Sequence, residues 1–333
     1  MDVHAHYFPP DYVRQARSLL GDPGVPPDAT GFLTSYEPLD ADPAFTAGFE
    51  ERIALMDAAN IAMQVLSFSA GNVWHPDQRA RAALVARFND GCIEAMEPYG
   101  DRFRLFANVP LPFVDASIAE TTRALHLPGF VGVSVCTHSA GIGIDDARWD
   151  PLYKHWDELG ITVFVHPDGF CAPDVIGGHF MGWALGAPFD DTIAAVKLMI
   201  SGVLERFPNI TWIIPHAGGV LPFLLERVDR IWASYAHLLP EGPPPRDTVQ
   251  RLLFDVATPA PEAVALTAAT FGTERLMMGT DFPFANRHDL AANERVIIDA
   301  GISGDAYESV LFANAIARLG LDLPASARTN LPR

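Results

Sequence analysis

Along the chain, short apolar stretches rich in β-branched and aromatic residues alternate with longer stretches whose apolar residues recur at helical spacing. That alternation is the pattern of βαβ units feeding a parallel sheet. Eight strands are expected: Asp2–His6, Met63–Ser69, Phe103–Leu111, Phe130–Thr137, Thr162–Pro167, Thr211–His216, Leu252–Thr258 and Leu276–Asp281. Val163-Phe164-Val165 and Trp212-Ile213-Ile214 are unbroken apolar runs, as strands covered on both faces require. Helices are expected over Phe45–Ala59, Asp77–Tyr99, Asp115–Leu125, Trp149–Leu159, Asp190–Phe207, Pro222–Tyr235 and Pro261–Phe271, with a pair from Asp289 to Leu319. Asp190-Asp191-Thr192 reads as the capped opening of its helix. Eight strands in strict alternation point to one (β/α)8 TIM barrel spanning residues 1–333. No Gly-x-Gly-x-x-Gly follows the first strand, which speaks against an open dinucleotide-binding sheet.

Two stretches interrupt the alternation. Residues 21–43, rich in Pro, Gly and Asp, form a long loop after the first strand, and residues 168–189 form another after the fifth. Both leave the C-terminal ends of strands, where barrels build their sites. Leu239–Arg246, with its run of prolines, reads as a stiff surface connection. There is no internal repeat and no interdomain linker.

Composition narrows the classes. At 333 residues and 49% hydrophobic the chain can build a large core, yet no run of 18 apolar residues would span a bilayer. The polar opening Met1-Asp2-Val3-His4 is unlike a signal peptide, and Cys92, Cys136 and Cys171 are too scattered for a disulfide framework, so a reducing cytoplasm is expected. A formal charge of −18 excludes nucleic acid as a partner and means that an anionic substrate must be met by local cations.

The chemistry lies in where the histidines fall. His4 and His6 are two apart on the first strand, so their side chains share a face. His166 ends the fifth strand, His216 the sixth and Asp281 the eighth, which puts all five at one mouth of the barrel. A lone histidine on a strand is usually structural. Four histidines and an aspartate at one mouth are the donor set of a divalent ion, zinc best and manganese as the alternative. His75, His126, His155, His179, His237 and His288 read as structural or surface residues, and the cysteines as apolar filling.

The same pattern, together with Phe164-Val165-His166-Pro167, Pro215-His216-Ala217-Gly218-Gly219 and Gly279-Thr280-Asp281-Phe282-Pro283-Phe284, resembles the amidohydrolase superfamily. Within it the text resembles the branch of aminocarboxymuconate semialdehyde decarboxylase and of the 6-methylsalicylate, γ-resorcylate and 5-carboxyvanillate decarboxylases. Gly186-Ala187-Pro188-Phe189-Asp190-Asp191-Thr192 through Phe207-Pro208 shares that likeness, which runs from residue 2 to about 320. The resemblance implies His4, His6, His166 and Asp281 as ligands of one metal ion, with His216 as the acid/base group and Asp281 assisting it. It implies Arg52 and Arg227 as substrate carboxylate contacts, Arg227 reaching a neighbouring subunit's site, with ordinary surface-helix arginines as the alternative reading of both. Phe180 and Trp183 would be aromatic groups over the substrate, with core or lid packing as the alternative, and His138 would line the pocket. A lysine bridging two metals is not expected, because the fourth strand ends Val135-Cys136-Thr137 and the two lysines, Lys154 and Lys197, fall on helices.

The activity so implied is non-oxidative decarboxylation of a small aromatic or enoic carboxylic acid by a homodimer. Hydrolysis of a lactone, or hydration, on the same scaffold is the alternative, since a metal-bound hydroxide can serve either.

Overall fold

The computed structural model describes residues 1–19, 22, 49–69, 75–168, 181–239, 242–257, 260–285 and 288–321. Eight parallel strands run in sequence order around the sheet: β1 Asp2–His6, β2 Gln64–Ser67, β3 Phe103–Asn108, β4 Phe130–Cys136, β5 Thr162–His166, β6 Thr211–Ile214, β7 Leu252–Asp255 and β8 Leu276–Met277. Every neighbouring pair from β1 to β8 is parallel. The ring is closed by the segment following β8. Val3 N–H donates to Met278 O at 3.0 Å, Asp281 N–H to His4 O at 2.8 Å and His6 N–H to Phe282 O at 2.7 Å. The expected (β/α)8 barrel is therefore the architecture found.

Helices cover the outside. Gln78–Met96 opens on Asp77, whose carboxylate accepts from Ala80 N–H at 2.8 Å, and Asp150–Leu159 ends on Gly160 in the left-handed region, as a C-terminal glycine favours. Between strands and helices lies a continuous apolar layer that includes Phe88, Trp156, Trp212 and Phe254. A second cluster, with Val65, Phe106, Phe164, Ile213 and Leu253, joins Ala315 and Leu319 of the C-terminal helix Asn314–Leu319. Phe106 and Phe164 stack at 5.3 Å although β3 and β5 are not neighbours, so their contact crosses the barrel interior and floors the site above it.

Four details differ from expectation. The strands are shorter than the apolar runs, because residues beyond each C-terminal end turn into loops at the mouth. A helix, Pro10–Ser18, follows β1 ahead of the Pro- and Gly-rich stretch, most of which lies outside the described residues. A small hairpin, His138–Ser139 against Ile142–Gly143, follows β4. The helix expected to open at Asp190 begins at Ala187, preceded by a π-helical turn over Gly182–Gly186. Pro188 supplies its first turn, and Asp190 and Asp191 lie inside the helix rather than at its cap.

Candidate metal centre

The two-residue spacing of His4 and His6 does what strand geometry requires, placing both rings on one side of β1, 4.9 Å apart between centroids. His166, at the last position of β5, brings its ring within 5.3 Å of His4 and 4.7 Å of His6. His216 and Asp281 arrive by a different route. Each lies just past its strand, and each has a left-handed backbone, φ 52° and 57°, uncommon for a residue with a side chain. Such conformations persist where surrounding bonds hold them. Here Asp281 N–H is held by His4 O, and His216 N–H donates to Asp255 Oδ1 at 3.1 Å. One donor atom from each of His4, His166, His216 and Asp281 lies within 4.8 Å of all the others. His6 Nε2 adds to that group, 3.0 Å from His4 Nε2 and 3.2 Å from Asp281 Oδ1.

How each ring is tied decides what it offers. His4 Nδ1 pairs with Asp255 Oδ2 at 2.9 Å, His6 Nδ1 sits 3.1 Å from Ser67 Oγ, and His166 Nδ1 donates to Pro167 O at 2.9 Å. All three rings are thus anchored through Nδ1, leaving Nε2 to converge on the Asp281 carboxylate. His166 Nε2 is buried with no hydrogen-bond partner among the described residues. Three inward nitrogens, one of them orphaned, beside a carboxylate fit a divalent cation better than they fit one another.

The electrostatics agree. Burial works against charge on His4, but Asp255 and Asp281 outweigh it and raise its pKa to about 9. Burial lowers His6 to about 4, and burial with three neighbouring imidazoles holds His166 well below the usual histidine range. Burial opposes ionisation of Asp281 as well, yet His4, His216 and His6 keep its carboxyl well below the usual carboxylate range. His216 is the converse case. Burial disfavours its charge, but Asp191, at 2.8 Å from Nδ1, and Asp281, at 3.7 Å from Nε2, raise its pKa well above the ordinary value.

The other expected site residues divide. Trp183 stands beside the cluster, stacked on Phe284 at 6.4 Å, and Phe284 meets the His6 ring edge-on at 5.3 Å. His138 lies on the hairpin after β4, with Nε2 3.9 Å from Asp190 Oδ2 and neither ring nitrogen hydrogen-bonded among the described residues. Phe180 lies outside the described residues. Arg52 is buried in the wall, donating to His6 O at 2.6 Å under the rings of Phe282 and Phe49, so its guanidinium braces β1. Arg227 is exposed on the outer helix Leu221–Tyr235. Lys154 and Lys197 both lie on helices, the latter paired with Asp145 at 2.9 Å, and β4 ends without a lysine as expected.

Three participants escaped the sequence reading. Asp255 and Asp191, both fully buried, hold the rings of His4 and His216, and Phe284 packs between the His6 ring and Trp183. An acid inside Leu252-Leu253-Phe254-Asp255-Val256, an otherwise apolar strand run, was the signal available for Asp255.

Comparison with known proteins places this geometry. Residues 1–321 match the family model described as amidohydrolase. A 2-amino-3-carboxymuconate-6-semialdehyde decarboxylase of Dictyostelium discoideum is 26% identical over 275 residues, covering 81% of this chain and 76% of that protein. A gamma-resorcylate decarboxylase of Rhodococcus jostii (strain RHA1) is 30% identical over 265 residues, covering 71% and 77%. Among solved structures, 5-carboxyvanillate decarboxylase from Sphingomonas paucimobilis superposes with a TM-score of 0.86 at 19% identity, covering 96% of this chain and 98% of that one. A dihydroxybenzoic acid decarboxylase from Polaromonas sp. JS666, with bound manganese and 2-nitroresorcinol, gives 0.80 at 21%, covering 98% and 99%. The protein with this barrel and this ring of histidines belongs to the amidohydrolase family.

Proposed function

We propose that this chain is a metal-dependent, non-oxidative decarboxylase of a small aromatic carboxylic acid. His4, His6, His166 and Asp281 hold one divalent ion, and His216 is the proton donor beside it. The observation that carries the reading is the setting of His216. Its ring is held between two carboxylates, Nδ1 on Asp191 and Nε2 towards Asp281, next to three converging imidazole nitrogens. An imidazole so placed carries its proton at neutral pH and presents it to the metal side of the mouth. The relatives named above, decarboxylases of aromatic and of enoic acids, support the reaction class.

A divalent ion held by His4, His6, His166 and Asp281 would supply Lewis acidity towards the substrate's oxygens. The protein does the rest. Trp183 and Phe284 form an aromatic wall against which a planar ring can lie. His216 Nε2 delivers its proton to the ring carbon that bears the carboxylate. The carbon–carboxylate bond then breaks, its electron pair restores the ring's conjugation, and carbon dioxide leaves. His216 regains a proton from water, so the balance is one substrate anion and one proton in, one decarboxylated ring and one carbon dioxide out. A positioned acid/base group contributes about 10²–10⁴ in rate.

Zinc is the proposed ion, since three imidazoles and a carboxylate suit it, with manganese, held by the Polaromonas sp. JS666 protein, as the alternative. A cytoplasmic homodimer is proposed in turn. The two described cysteines are free, and the outer helix Leu221–Tyr235 exposes Phe223 at 78% and Tyr235 at 52% beside Arg227, an apolar face with a cation in it.

The test is to load the protein with zinc or manganese and offer 2,6-dihydroxybenzoate, 5-carboxyvanillate and 2-amino-3-carboxymuconate semialdehyde, following carbon dioxide release and product by chromatography. Release with one of them, lost at least a hundredfold in His216→Asn that still binds the ion, supports the reading. Ring opening of a lactone or addition of water, with no carbon dioxide from any acid, overturns it in favour of a hydrolase or hydratase.

A further inference from the structure

We infer that Asp191 is the positioning residue of the reaction: it sets which nitrogen of His216 carries the fixed hydrogen, and so makes Nε2 the one that works. The inference rests on the reading of His216 as proton donor and assigns that reading a second residue, from a different element.

Asp191 lies inside the helix Ala187–Ile200, four residues past its first position, so its carboxylate caps no free N–H of the first turn. It is fully buried. A buried carboxylate is costly unless its oxygens are met, and Oδ1 of Asp191 has no hydrogen-bond partner among the described residues. What it does make is one bond, Oδ2 accepting from His216 Nδ1 at 2.8 Å. A structural role would be served as well by an apolar side chain in this position, on a helix already buried through Ala194, Ala195 and Leu198. The neighbouring Asp190 shows the contrast, being bound to Thr137 Oγ1 at 2.6 Å.

The histidine side is equally specific. His216 is gripped at two points by two acids, its backbone N–H by Asp255 and its ring by Asp191, on a left-handed backbone that points the ring into the mouth. With the Nδ1 hydrogen committed to Asp191, the ring cannot turn over without breaking that bond. Nε2 then stays 3.7 Å from Asp281 Oδ2, on the metal side. A neutral imidazole in solution distributes its hydrogen over both nitrogens, and the wrong tautomer or a flipped ring gives a donor that faces away from the reacting carbon.

The experiment compares Asp191→Leu, which is similar in size and has no acceptor, with Asp191→Asn, which keeps an acceptor and loses the charge. The readouts are metal content, melting temperature, kcat and KM for whichever acid the wild type decarboxylates, and long-range ¹H–¹⁵N spectra of histidine-labelled protein. The His216 resonances are assigned from His216→Gln. In the wild type a slowly exchanging hydrogen is expected on His216 Nδ1. In Asp191→Leu that signal disappears, and kcat falls about 10²–10⁴-fold while KM stays within about threefold, with one ion still bound per chain. Asp191→Asn lies between the two. Should Asp191→Leu not fold, Asp191→Asn decides, by a shifted Nδ1 hydrogen and a lowered kcat. The inference is overturned if the Nδ1 hydrogen is unmoved in the variants. It is equally overturned if kcat falls only in step with lost metal or lowered melting temperature. If the wild type turns over none of the acids, the proposed reaction fails, and the spectra still judge the pairing of Asp191 with His216.

Discussion

Removing the ion from this protein leaves a proton in its place, and that exchange can be measured. In the metal-free chain His4 is held at a pKa of about 9 and His6 at about 4, with their Nε2 atoms 3.0 Å apart. At neutral pH His4 is therefore charged, one hydrogen on Asp255 and the other towards His6 and Asp281. A cation that takes His4 Nε2 must expel that second hydrogen. His6 and His166 have none to give up on their inward nitrogens, and Asp281 is already ionised, so about one proton should leave per ion bound. The sign follows. Below His4's folded pKa the proton competes with the metal, and apparent affinity climbs about tenfold per pH unit, roughly a hundredfold between pH 6 and 8, levelling off above about 9. The stability of the metal-free fold runs the other way. His4's contribution is fully present below about 6.5, the unfolded value, and is lost as pH rises through about 9. Titration calorimetry of zinc into metal-free protein, in buffers of differing ionisation heat, reads both affinity and protons released. A flat affinity from pH 6 to 8, or release of less than half a proton per ion, would refute the reasoning.

Other expectations can be checked beside it. Asp255→Asn keeps an oxygen for the N–H groups of His216 and Ala257, but turns an amide N–H₂ towards His4 Nδ1, or loses both backbone bonds if the amide flips. Either way metal affinity should fall about 10–100-fold by calorimetry, and an unchanged affinity would remove Asp255 from the centre's support. Phe164→Ala deletes a ring packed on both Phe106 and His4 in the barrel interior, and should cost about 3–5 kcal/mol in urea unfolding of the metal-free protein. A loss below about 1 kcal/mol would mean that the floor is not close-packed. Gly219→Ala puts a Cβ 2.0 Å from Pro188 O at a backbone φ of 63°, so it should shift the loop carrying His216 and lower both melting temperature and turnover. Wild-type values for both would contradict the geometry.

How much of this could be read from residue order depends on what kind of fact it was. Most of the strands were legible because strands covered on both faces read as near-continuous apolar runs, and the cluster at the mouth because histidines end or share a face of several of them. What could not be read was pairing. Asp190 and Asp191 present the same two letters a helix cap would, and only the earlier start of the helix at Ala187 turns them inward, one to Thr137 and the other to His216. The setting of Arg52 was hidden for a related reason. An arginine on a helix behind β1 can face solvent, substrate or wall, and here His6 O, Phe282 and Phe49 claim it.

The centre is held by carboxylates that never need to touch the substrate. Asp2 receives Gln64 Nε2 and Thr280 Oγ1, each at 2.7 Å, and so ties β1 to β2 and to the segment bearing Asp281. Asp255 ties β1 to the loop bearing His216, and Asp191 ties that loop to the helix behind it. Asp255 and Asp191 face histidine rings, so their negative charge is used inside the mouth, where it fixes ring orientation. This is also why the reaction needs a cation. With Asp191, Asp255 and Asp281 gathered at one end of a chain of net charge −18, an anionic substrate meets a repelling field unless the ion and the charged His216 offset it at close range. Stripping the metal should therefore abolish binding of the carboxylate as well as turnover. Equilibrium dialysis of 2,6-dihydroxybenzoate against metal-free and zinc-loaded protein separates the two, and equal binding by both would show that some other cation recognises the acid.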